Sequence, residues 1–236
     1  MACTICGSTE TVRSHILPRA LFRMGTTPGR QVIGNRRDGP GYVHLQSGFW
    51  DDDILCAKHE ARLSVPDDYA ARFCRKFLKA SADGSFSTTI PNPLPDRLVS
   101  FASACVWRMA VSRTENKPER MLGPYAARLR ARLFDGDPFE PFLLISRSAY
   151  VSRRDPLNLG VLPHLYRELD LRFWRFVTCG LIFDLKLDNR PAPPPMAILG
   201  VNGSKEVFLH EDFPQEVSRI PDIAESLVRL SLPRKR

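Results

Sequence analysis

Apolar residues recur at helical spacing in three stretches of the chain. From Pro66 onward aromatic residues recur every four positions, with basic residues between them, and residues 96–113 and 124–134 show the same period. An apolar stripe repeated every three or four residues is typical of a helix with one buried face. The pattern therefore predicts three helices. The first would carry a basic outer face formed by Arg72, Arg75, Lys76 and Lys79.

After Pro138 the pattern changes to short apolar segments separated by Gly, Pro and Asn. Such segments are typical of strands connected by turns. A last helical pattern covers Ile220–Leu232. The segments predicted as strands of an antiparallel sheet are Pro141–Tyr150, Phe173–Leu187, Met196–Val201 and Glu206–His210.

The predicted elements fall into two domains of an α+β protein. Asp83–Pro95 is rich in Pro, Ser and Thr and interrupts the helical pattern, so we place the boundary there. Residues 1–82 would form a small ββα module followed by the basic helix, and residues 96–236 a domain of helices and an antiparallel sheet. The three cysteines on apolar faces of these elements are predicted to be core residues: Cys74, Cys105 and Cys179.

The composition allows a nucleic-acid partner and excludes an integral membrane protein. The 236 residues carry a formal net charge of +8, which favours binding to nucleic acid. No apolar run approaches the ~18 residues that a membrane-spanning helix needs. The N-terminal residues lack the pattern of a secretory signal, so we expect a cytoplasmic protein whose cysteine pairs are metal ligands rather than disulfides.

Two close pairs of metal-binding residue types stand in the N-terminal quarter. Cys3 and Cys6 form a Cys-x-x-Cys pair, and Cys56 and His59 form a Cys-x-x-His pair. Thiolates and imidazoles in two such pairs are the usual ligands of a tetrahedral zinc ion. Residues 1–64 have little apolar periodicity, and a unit with so small a core gains stability from a metal. The pairs predict a structural zinc; the alternative is a frayed terminus with Cys56 buried and no metal.

Between the two pairs stands the segment Ser14-His15-Ile16-Leu17-Pro18-Arg19. A Cys-x-x-Cys pair, a His-Ile-x-Pro segment and a second Cys-x-x-Cys/His pair, in this order, resemble the zinc-stapled branch of the HNH endonuclease family. The resemblance covers about residues 1–64 and implies a ββα-metal fold of treble-clef type. It also implies that the two pairs hold the structural zinc.

The resemblance assigns chemistry to two further residues. His15 would be the general base, which takes a proton from the water that attacks a DNA phosphodiester. One divalent cation, Mg²⁺ or a similar ion, would neutralise charge on the phosphate and the leaving oxygen. Arg19 would contact the scissile phosphate.

The sequence departs from the family pattern at two positions. Ser14 stands where the family has an acidic metal ligand, and a neutral hydroxyl binds a cation far less well. Glu60 follows the second pair where the family commonly has His or Asn, and its carboxylate is a good ligand for a hard cation. The resemblance therefore implies that Glu60, with Ser14 or a nearby acid, holds the catalytic ion. Glu60 is equally explained as a first-turn acid that interacts favourably with the helix dipole.

Other polar residues near the motif leave alternatives open. Asn35 and His44 lie between the two pairs and are candidates for the middle asparagine or another ligand. The run Asp51-Asp52-Asp53 is predicted to be a solvated turn, with a replacement cation ligand near Cys56 as the alternative.

Two hypotheses for function follow from these features. The first is a metal-dependent DNA endonuclease of HNH type, in a bacterial or phage-defence setting that only the resemblance suggests, with the basic helix face following phosphates. The second is a catalytically inactive zinc-finger protein that binds nucleic acid or a protein partner, with the C-terminal domain as its working surface. His15 would then only cap or hydrogen-bond within the finger. The hypotheses differ in whether a second cation binds near His15.

Overall fold

The computed structural model of the chain describes residues 2–25, 32–35, 42–45, 47–81, 87–112, 122–148, 159–168 and 170–212. Helices and mainly antiparallel strands occur together in these ranges, which confirms the α+β fold class. The helices are α1 Arg19–Gly25, α2 Ala57–Ala80, α3 Pro95–Val111, α4 Tyr125–Phe134 and α5 Pro194–Ile198. The strands are β1 Val12–His15, β2 Val32–Asn35, β3 Tyr42–Leu45, β4 Trp50–Leu55, β5 Thr88–Pro91, β6 Phe142–Ser148, β7 Leu159–Glu168, β8 Leu171–Thr178, β9 Leu181–Lys186, β10 Glu206–Leu209 and β11 Glu211–Asp212.

The N-terminal part of the chain has a ββα arrangement. β1 pairs antiparallel with β4, and α2 begins one residue after β4 ends. In this register Ser14 lies opposite Asp51, and His15 lies opposite Trp50. β2 and β3 pair antiparallel with each other at one edge of another, larger sheet. Asn35 and His44 are therefore not in the β1–β4 sheet.

The first predicted helix begins at Ala57 rather than at Pro66. Pro66 lies inside this helix of 24 residues, although a proline there lacks the N–H that would bond to the preceding turn. One continuous helix therefore carries His59 and Glu60 in its first turn and the basic residues near its other end. Its buried residues are His59, Leu63, Pro66, Ala70, Ala71, Phe73, Cys74 and Phe77.

The helices predicted at residues 96–113 and 124–134 are confirmed as α3 and α4. Twelve of the 17 residues of α3 are buried, and the helix contacts α2, α4 and strands of the large sheet. The ring of Phe101 packs edge-on against Phe176 and Phe183, with centroid distances of 5.8 and 5.4 Å. Trp107 packs in the same manner against Phe134 of α4, at 5.3 Å. α3 is therefore the central element of the hydrophobic core.

The large sheet has seven strands in the order β11-β6-β9-β8-β7-β2-β3. Neighbouring strands are antiparallel except in the pairs β11–β6 and β2–β7. β8 and β9 are joined by a two-residue turn at Cys179 and Gly180, whose φ angles of +52° and +74° match the twist of a tight hairpin. Cys179 thus lies in a turn, but all three predicted core cysteines are buried, as expected.

The helical pattern is interrupted at Asp83–Pro95 as predicted, since α2 ends at Ala80 and α3 begins at Pro95. The interrupting segment also contains β5, which was not predicted and which pairs antiparallel with β10. The strand predicted at Met196–Val201 is wrong, because residues 196–198 belong to the short helix α5 and Gly200 makes an isolated bridge to Leu144. Prolines in a first helical turn need no N–H partner, so Pro194 can begin this helix. The strands predicted at Pro141–Tyr150 and Glu206–His210 are confirmed as β6 and β10, and Phe173–Leu187 holds most of the β8–β9 hairpin. The helix predicted at Ile220–Leu232 lies outside the described residues.

The predicted division into residues 1–82 and 96–236 remains a prediction about folding units. In the structure the two parts pack together, because β2 pairs with β7 and one hydrophobic cluster includes residues of both parts. Of the helices that the structure describes, none is long and apolar enough to span a membrane.

Candidate metal centre and polar network

The two N-terminal cysteines lie on a tight turn held against β4. The N–H of Gly7 donates to the Cys3 carbonyl at 2.9 Å, and Gly7 has a φ of +73°, which glycine adopts without strain. Thr4 donates twice to the Ile54 carbonyl, from its N–H and from its hydroxyl, both at 3.0 Å. These bonds bring Cys3 and Cys6 beside the end of β4.

The second pair lies at the start of α2. Cys56 is the N-cap residue of this helix, and His59 follows in the first turn. The N–H groups of His59 and Glu60 donate to the Cys56 carbonyl at 3.1 and 3.0 Å. A spacing of three residues at a helix start places both side chains on one side of the helix, facing the N-terminal turn.

The structure brings the four side chains together. Cys56 Sγ lies 3.2 Å from His59 Nδ1, Cys3 Sγ lies 3.6 Å from the same nitrogen, and Cys6 Sγ lies 3.9 Å from Cys56 Sγ. The four ligand atoms all lie within 4.8 Å of one another. Cys6 is exposed and the other three are buried. The cluster can therefore hold one metal ion.

The turn around Cys3 favours a thiolate. Burial alone would raise the pKa of the Cys3 thiol, but backbone N–H groups of Cys56, Cys6 and Ile5 directed at the sulfur stabilise its anion and lower the pKa to about 6. The thiolate is the form that binds a metal. The backbone is thus arranged for a ligand sulfur at this position.

A network of charged and hydroxyl groups begins beside the cluster. Ser14 Oγ donates to Glu60 Oε2 at 2.7 Å, and Arg108 of α3 donates to Glu60 Oε1 at 3.1 Å. The same guanidinium donates to Asp67 Oδ2 at 2.9 Å. Arg108 is fully buried, while the side chains of Glu60 and Asp67 are 24% and 12% exposed. The network joins β1, α2 and α3.

One guanidinium in this network faces two carboxylates. Burial raises the pKa of the Asp67 carboxyl to about 6, against the lowering effect of Arg108 and with a further raising effect of Glu60. Burial would lower the pKa of Arg108, but the charges of Asp67 and Glu60 raise it. Arg108 therefore stays charged, and Asp67 is the group that takes up a proton.

These contacts bear directly on the predicted cation ligands Ser14 and Glu60. The structure does bring the two side chains together, but the Ser14 hydroxyl and the Arg108 guanidinium each bond to one oxygen of the Glu60 carboxylate. A buried guanidinium also repels a divalent cation at this position. Within the described ranges, the Cys/His cluster is the one group of three or more such side chains placed to share a metal ion. Ser14 and Glu60 as they stand do not fit a Mg²⁺ site.

His15 lies at the end of β1, next to the network. It is partly buried, and its ring is tilted against Trp50 with a centroid distance of 6.2 Å. Burial lowers the pKa of His15, and the charges of Arg19, Arg108 and Arg13 lower it further. Both effects favour the neutral imidazole, which is the form required of a base.

The remaining predicted site residues have different surroundings. Arg19 is exposed at the start of α1, near enough to His15 to affect its pKa. The solvated turn predicted at residues 51–53 is wrong, because these residues belong to β4. Asp51 is buried and accepts a hydrogen bond from Ser112 at 2.9 Å. The side chain of Asp52 pairs with exposed Arg13 at 3.1 Å.

The four basic residues predicted on the outer face of α2, Arg72, Arg75, Lys76 and Lys79, are all exposed. Their positions follow from the helical period, since Phe73, Cys74 and Phe77 on the opposite face are buried. Contact of this face with phosphates stays a prediction.

Sequence reasoning missed Arg108 and Asp67. A signal for Arg108 was present, because it is the one charged residue in the otherwise apolar and small-residue stretch 98–112. A charge in such a stretch is expected to have a buried partner. Asp67 lies seven residues after Glu60, which is two turns further along the same helix face. Two acids at this spacing can bond to one cation placed between them.

Comparison with known proteins gives no family assignment. No protein-family model, no curated protein and no solved structure matches the chain.

Proposed function

We propose that the chain is a nucleic-acid-binding protein whose ββα module contains a structural zinc. In this proposal the guanidinium of Arg108 occupies the position beside Glu60 that a catalytic cation would otherwise take. The observation that carries the proposal is the bond from the buried Arg108 guanidinium to Glu60. Glu60 is the residue that an HNH-like enzyme would use here for its cation. An internal guanidinium supplies the positive charge at that position without an added ion.

The chemistry of the Cys/His cluster supports zinc as its metal. Zinc bonds of about 2.3 Å to sulfur and about 2.0 Å to nitrogen in a tetrahedron give edges of about 3.8 Å between sulfurs and about 3.5 Å between sulfur and nitrogen. The Cys6–Cys56 distance is 3.9 Å, and the two sulfur–nitrogen distances are 3.2 and 3.6 Å. Three thiolates and one imidazole with these spacings suit a structural zinc that joins the N-terminal turn to α2.

The charge on the surface supports a nucleic-acid partner. The net charge is +8, and the outer face of α2 adds four exposed basic residues to exposed Arg13 and Arg19 near His15. Phosphate contacts from such residues give affinity that falls steeply with salt. DNA is the polyanion that the HNH resemblance suggests. RNA of the same sequence is the competing candidate, and its affinity is measured beside that of DNA.

A second candidate function is an HNH-type DNA endonuclease, and the observation that favours it is the position of His15. The histidine lies at the end of β1 in the ββα arrangement and has a lowered pKa. A neutral imidazole there can take the proton from a water that attacks phosphorus, while the leaving oxygen departs with the other half of the strand.

One set of samples separates the two functions. Plasmid cleavage and duplex binding are measured for wild type and His15→Ala, with Mg²⁺, Mn²⁺ or EDTA, and zinc content is determined on each sample. The binding protein shows salt-dependent affinity and no cleavage with any added ion. Cleavage that requires an added ion and is lost in a zinc-containing His15→Ala protein with intact DNA binding establishes the nuclease and overturns the first proposal.

The basic face is tested with a charge-matched control. The double variant Arg72→Gln/Lys76→Gln removes two charges from the face, and Arg97→Gln/Lys205→Gln removes two exposed charges elsewhere. If both face residues contact phosphates, the slope of log Kobs against log salt concentration becomes shallower by about 2 in the first variant alone. Equal slopes for both variants and wild type would exclude this face from the interface.

A further inference from the structure

A separate concave surface lies at the end of the hairpin formed by β7 and β8. A cavity of about 760 Å³, open to solvent on one side, is lined by these strands, the turn before α4 and the segment after β9. No residue that lines it belongs to the Cys/His cluster or to the Arg108 network. A cavity of this size suits a small organic ligand.

Two arginines stand directly opposite each other in this cavity. Arg167 and Arg172 are partners in the antiparallel register of β7 and β8, and both are exposed. Like charges directly opposite on neighbouring strands destabilise a sheet. In the part of the chain that the structure describes, no ion pair joins either arginine to an acid. The pair is therefore a local excess of positive charge.

One acid that lines the cavity, Asp188, is shared by two cations. Asp188 pairs with Lys186 at 2.5 Å and with Arg190 at 2.6 Å. Glu168 lies 4.0 Å from the buried Arg175. Arg175 is itself paired with Asp184 at 2.7 Å, and Asp170, in the turn between the strands, is a further acid among the described lining residues. The described charged residues of the lining and their ion-pair partners are thus five cations and four acids, which leaves an excess of one positive charge. An anionic ligand would remove the repulsion between Arg167 and Arg172.

The wall beside the arginines is apolar. Leu165 lies opposite Trp174, two pairs further along the same two strands, and the pair of Tyr166 and Phe173 lies between. Leu165 is 42% exposed, which is unusual for a large aliphatic side chain on a sheet, while Trp174 is buried beneath the cavity. The cavity therefore offers two opposed guanidinium groups at one position and the exposed side chain of Leu165 next to them.

We propose that this cavity binds a nucleoside monophosphate, with its phosphate at Arg167 and Arg172 and its base against Leu165. A phosphate monoester has three terminal acceptor oxygens and up to two negative charges, so it can bond to two guanidinium groups at once and offset both of their charges. A planar base covers an exposed apolar side chain and fits the remaining volume. The site is independent of the function proposed for the ββα module.

Calorimetric titration of the full chain tests this site with three probes: adenosine monophosphate, adenosine and inorganic phosphate. We expect the nucleotide to bind at least tenfold more tightly than either fragment, because it alone contacts both surfaces. Affinity for the nucleoside equal to that for the nucleotide would overturn the phosphate assignment. No measurable binding of the nucleotide at millimolar concentration would overturn the proposal as a whole.

Variants locate the site on the chain. Arg167→Gln and Arg172→Gln should each weaken nucleotide binding at least tenfold, while Arg97→Gln, which removes an exposed arginine outside the cavity, should leave the affinity within twofold of wild type. Folding is checked by the Tm without ligand, which should not fall when either member of a like-charge pair is removed. Equal weakening in Arg97→Gln would show nonspecific charge attraction and overturn the proposal.

Discussion

Arg108 of α3 and Glu60 of α2 form an ion pair of 3.1 Å in which the guanidinium is completely buried. Asp67, two turns further along α2, bonds to the same guanidinium at 2.9 Å. The central helix of the core is thereby attached to the helix that begins with the candidate metal ligands. Since Glu60 also accepts a bond from Ser14, β1 belongs to the same connection.

Replacing Arg108 should destabilise the fold strongly. Arg108→Met keeps much of the side-chain volume but leaves Glu60 and Asp67 without their cation, and breaking a buried pair in this way costs about 3–5 kcal/mol. Urea unfolding followed by circular dichroism measures the free energy of unfolding. Arg130→Met is the control, because Arg130 pairs with Asp135 at the surface, where an ion pair contributes less than about 1 kcal/mol.

The triple variant Arg108→Met/Glu60→Gln/Asp67→Asn separates loss of charge balance from loss of packing. It removes the two acids together with the cation, so it should recover part of the stability that Arg108→Met loses. A triple variant as unstable as Arg108→Met would contradict the electrostatic explanation.

Asp67 should make the stability of the protein depend on pH. Its pKa is raised from 3.8 to about 6 in the folded state. Between these values the folded state holds a proton that the unfolded state has released. The free energy of unfolding therefore falls as pH rises from about 4 to about 6, and the contribution of Asp67 does not change further above that range. The maximum loss is about 3 kcal/mol, since one pKa unit corresponds to 1.36 kcal/mol.

Asp67→Asn removes this titration and keeps an oxygen that accepts from Arg108. The free energy of unfolding of the variant minus that of wild type should therefore increase with pH between about 4 and 6. Both proteins contain the same Cys/His cluster, so acid effects on the cluster cancel in the difference. A difference that stays constant over this range would show that Asp67 is ionised throughout.

The sequence predicted those features whose signal lies within a few neighbouring residues. α3 and α4 follow from apolar periodicity, and the cluster follows from two pairs of ligand types with a fixed spacing. β5 and β10 could not be paired in advance, because Thr88 and Leu209 are neighbours only across more than a hundred residues of chain. α5 was predicted as a strand because its apolar composition outweighed the prolines that start it.

The polar network shows the same limit. Glu60 is a plausible cation ligand by its position next to His59. Its partner Arg108 lies 48 residues away on another helix, so its effect on Glu60 becomes visible only when the helices are packed. The chemistry of the site therefore depends on a long-range contact, whereas the cluster beside it depends on short sequence spacings.

The arginines around His15 should keep its imidazole neutral. Arg19→Gln removes the charge that, after burial, lowers the pKa of His15 most, so the pKa of His15 should rise. NMR titration of the imidazole C–H signals measures it directly. Arg72→Gln is the control, because Arg72 is exposed on the outer face of α2 and is not among the charges that act on His15. An unchanged pKa of His15 in Arg19→Gln would show that the charge of Arg19 does not lower it.

The contribution of the proposed zinc to the stability of the protein should be separable from the packing of Cys6. Cys6 is the exposed member of the cluster, so Cys6→Ser changes little in the core but removes one of three thiolate ligands. Metal affinity becomes folding free energy when the unfolded chain has no site for the ion. With one equivalent of Zn²⁺, Cys6→Ser should therefore unfold at a clearly lower temperature than wild type, and after chelation the two Tm values should converge.

Cys105→Ala is the matched control for Cys6→Ser. Cys105 is fully buried on α3, outside the cluster, so its loss lowers the Tm with or without metal and leaves one zinc per chain. A Tm difference between wild type and Cys6→Ser that persists unchanged after chelation would show that Cys6 acts through packing and not through a metal.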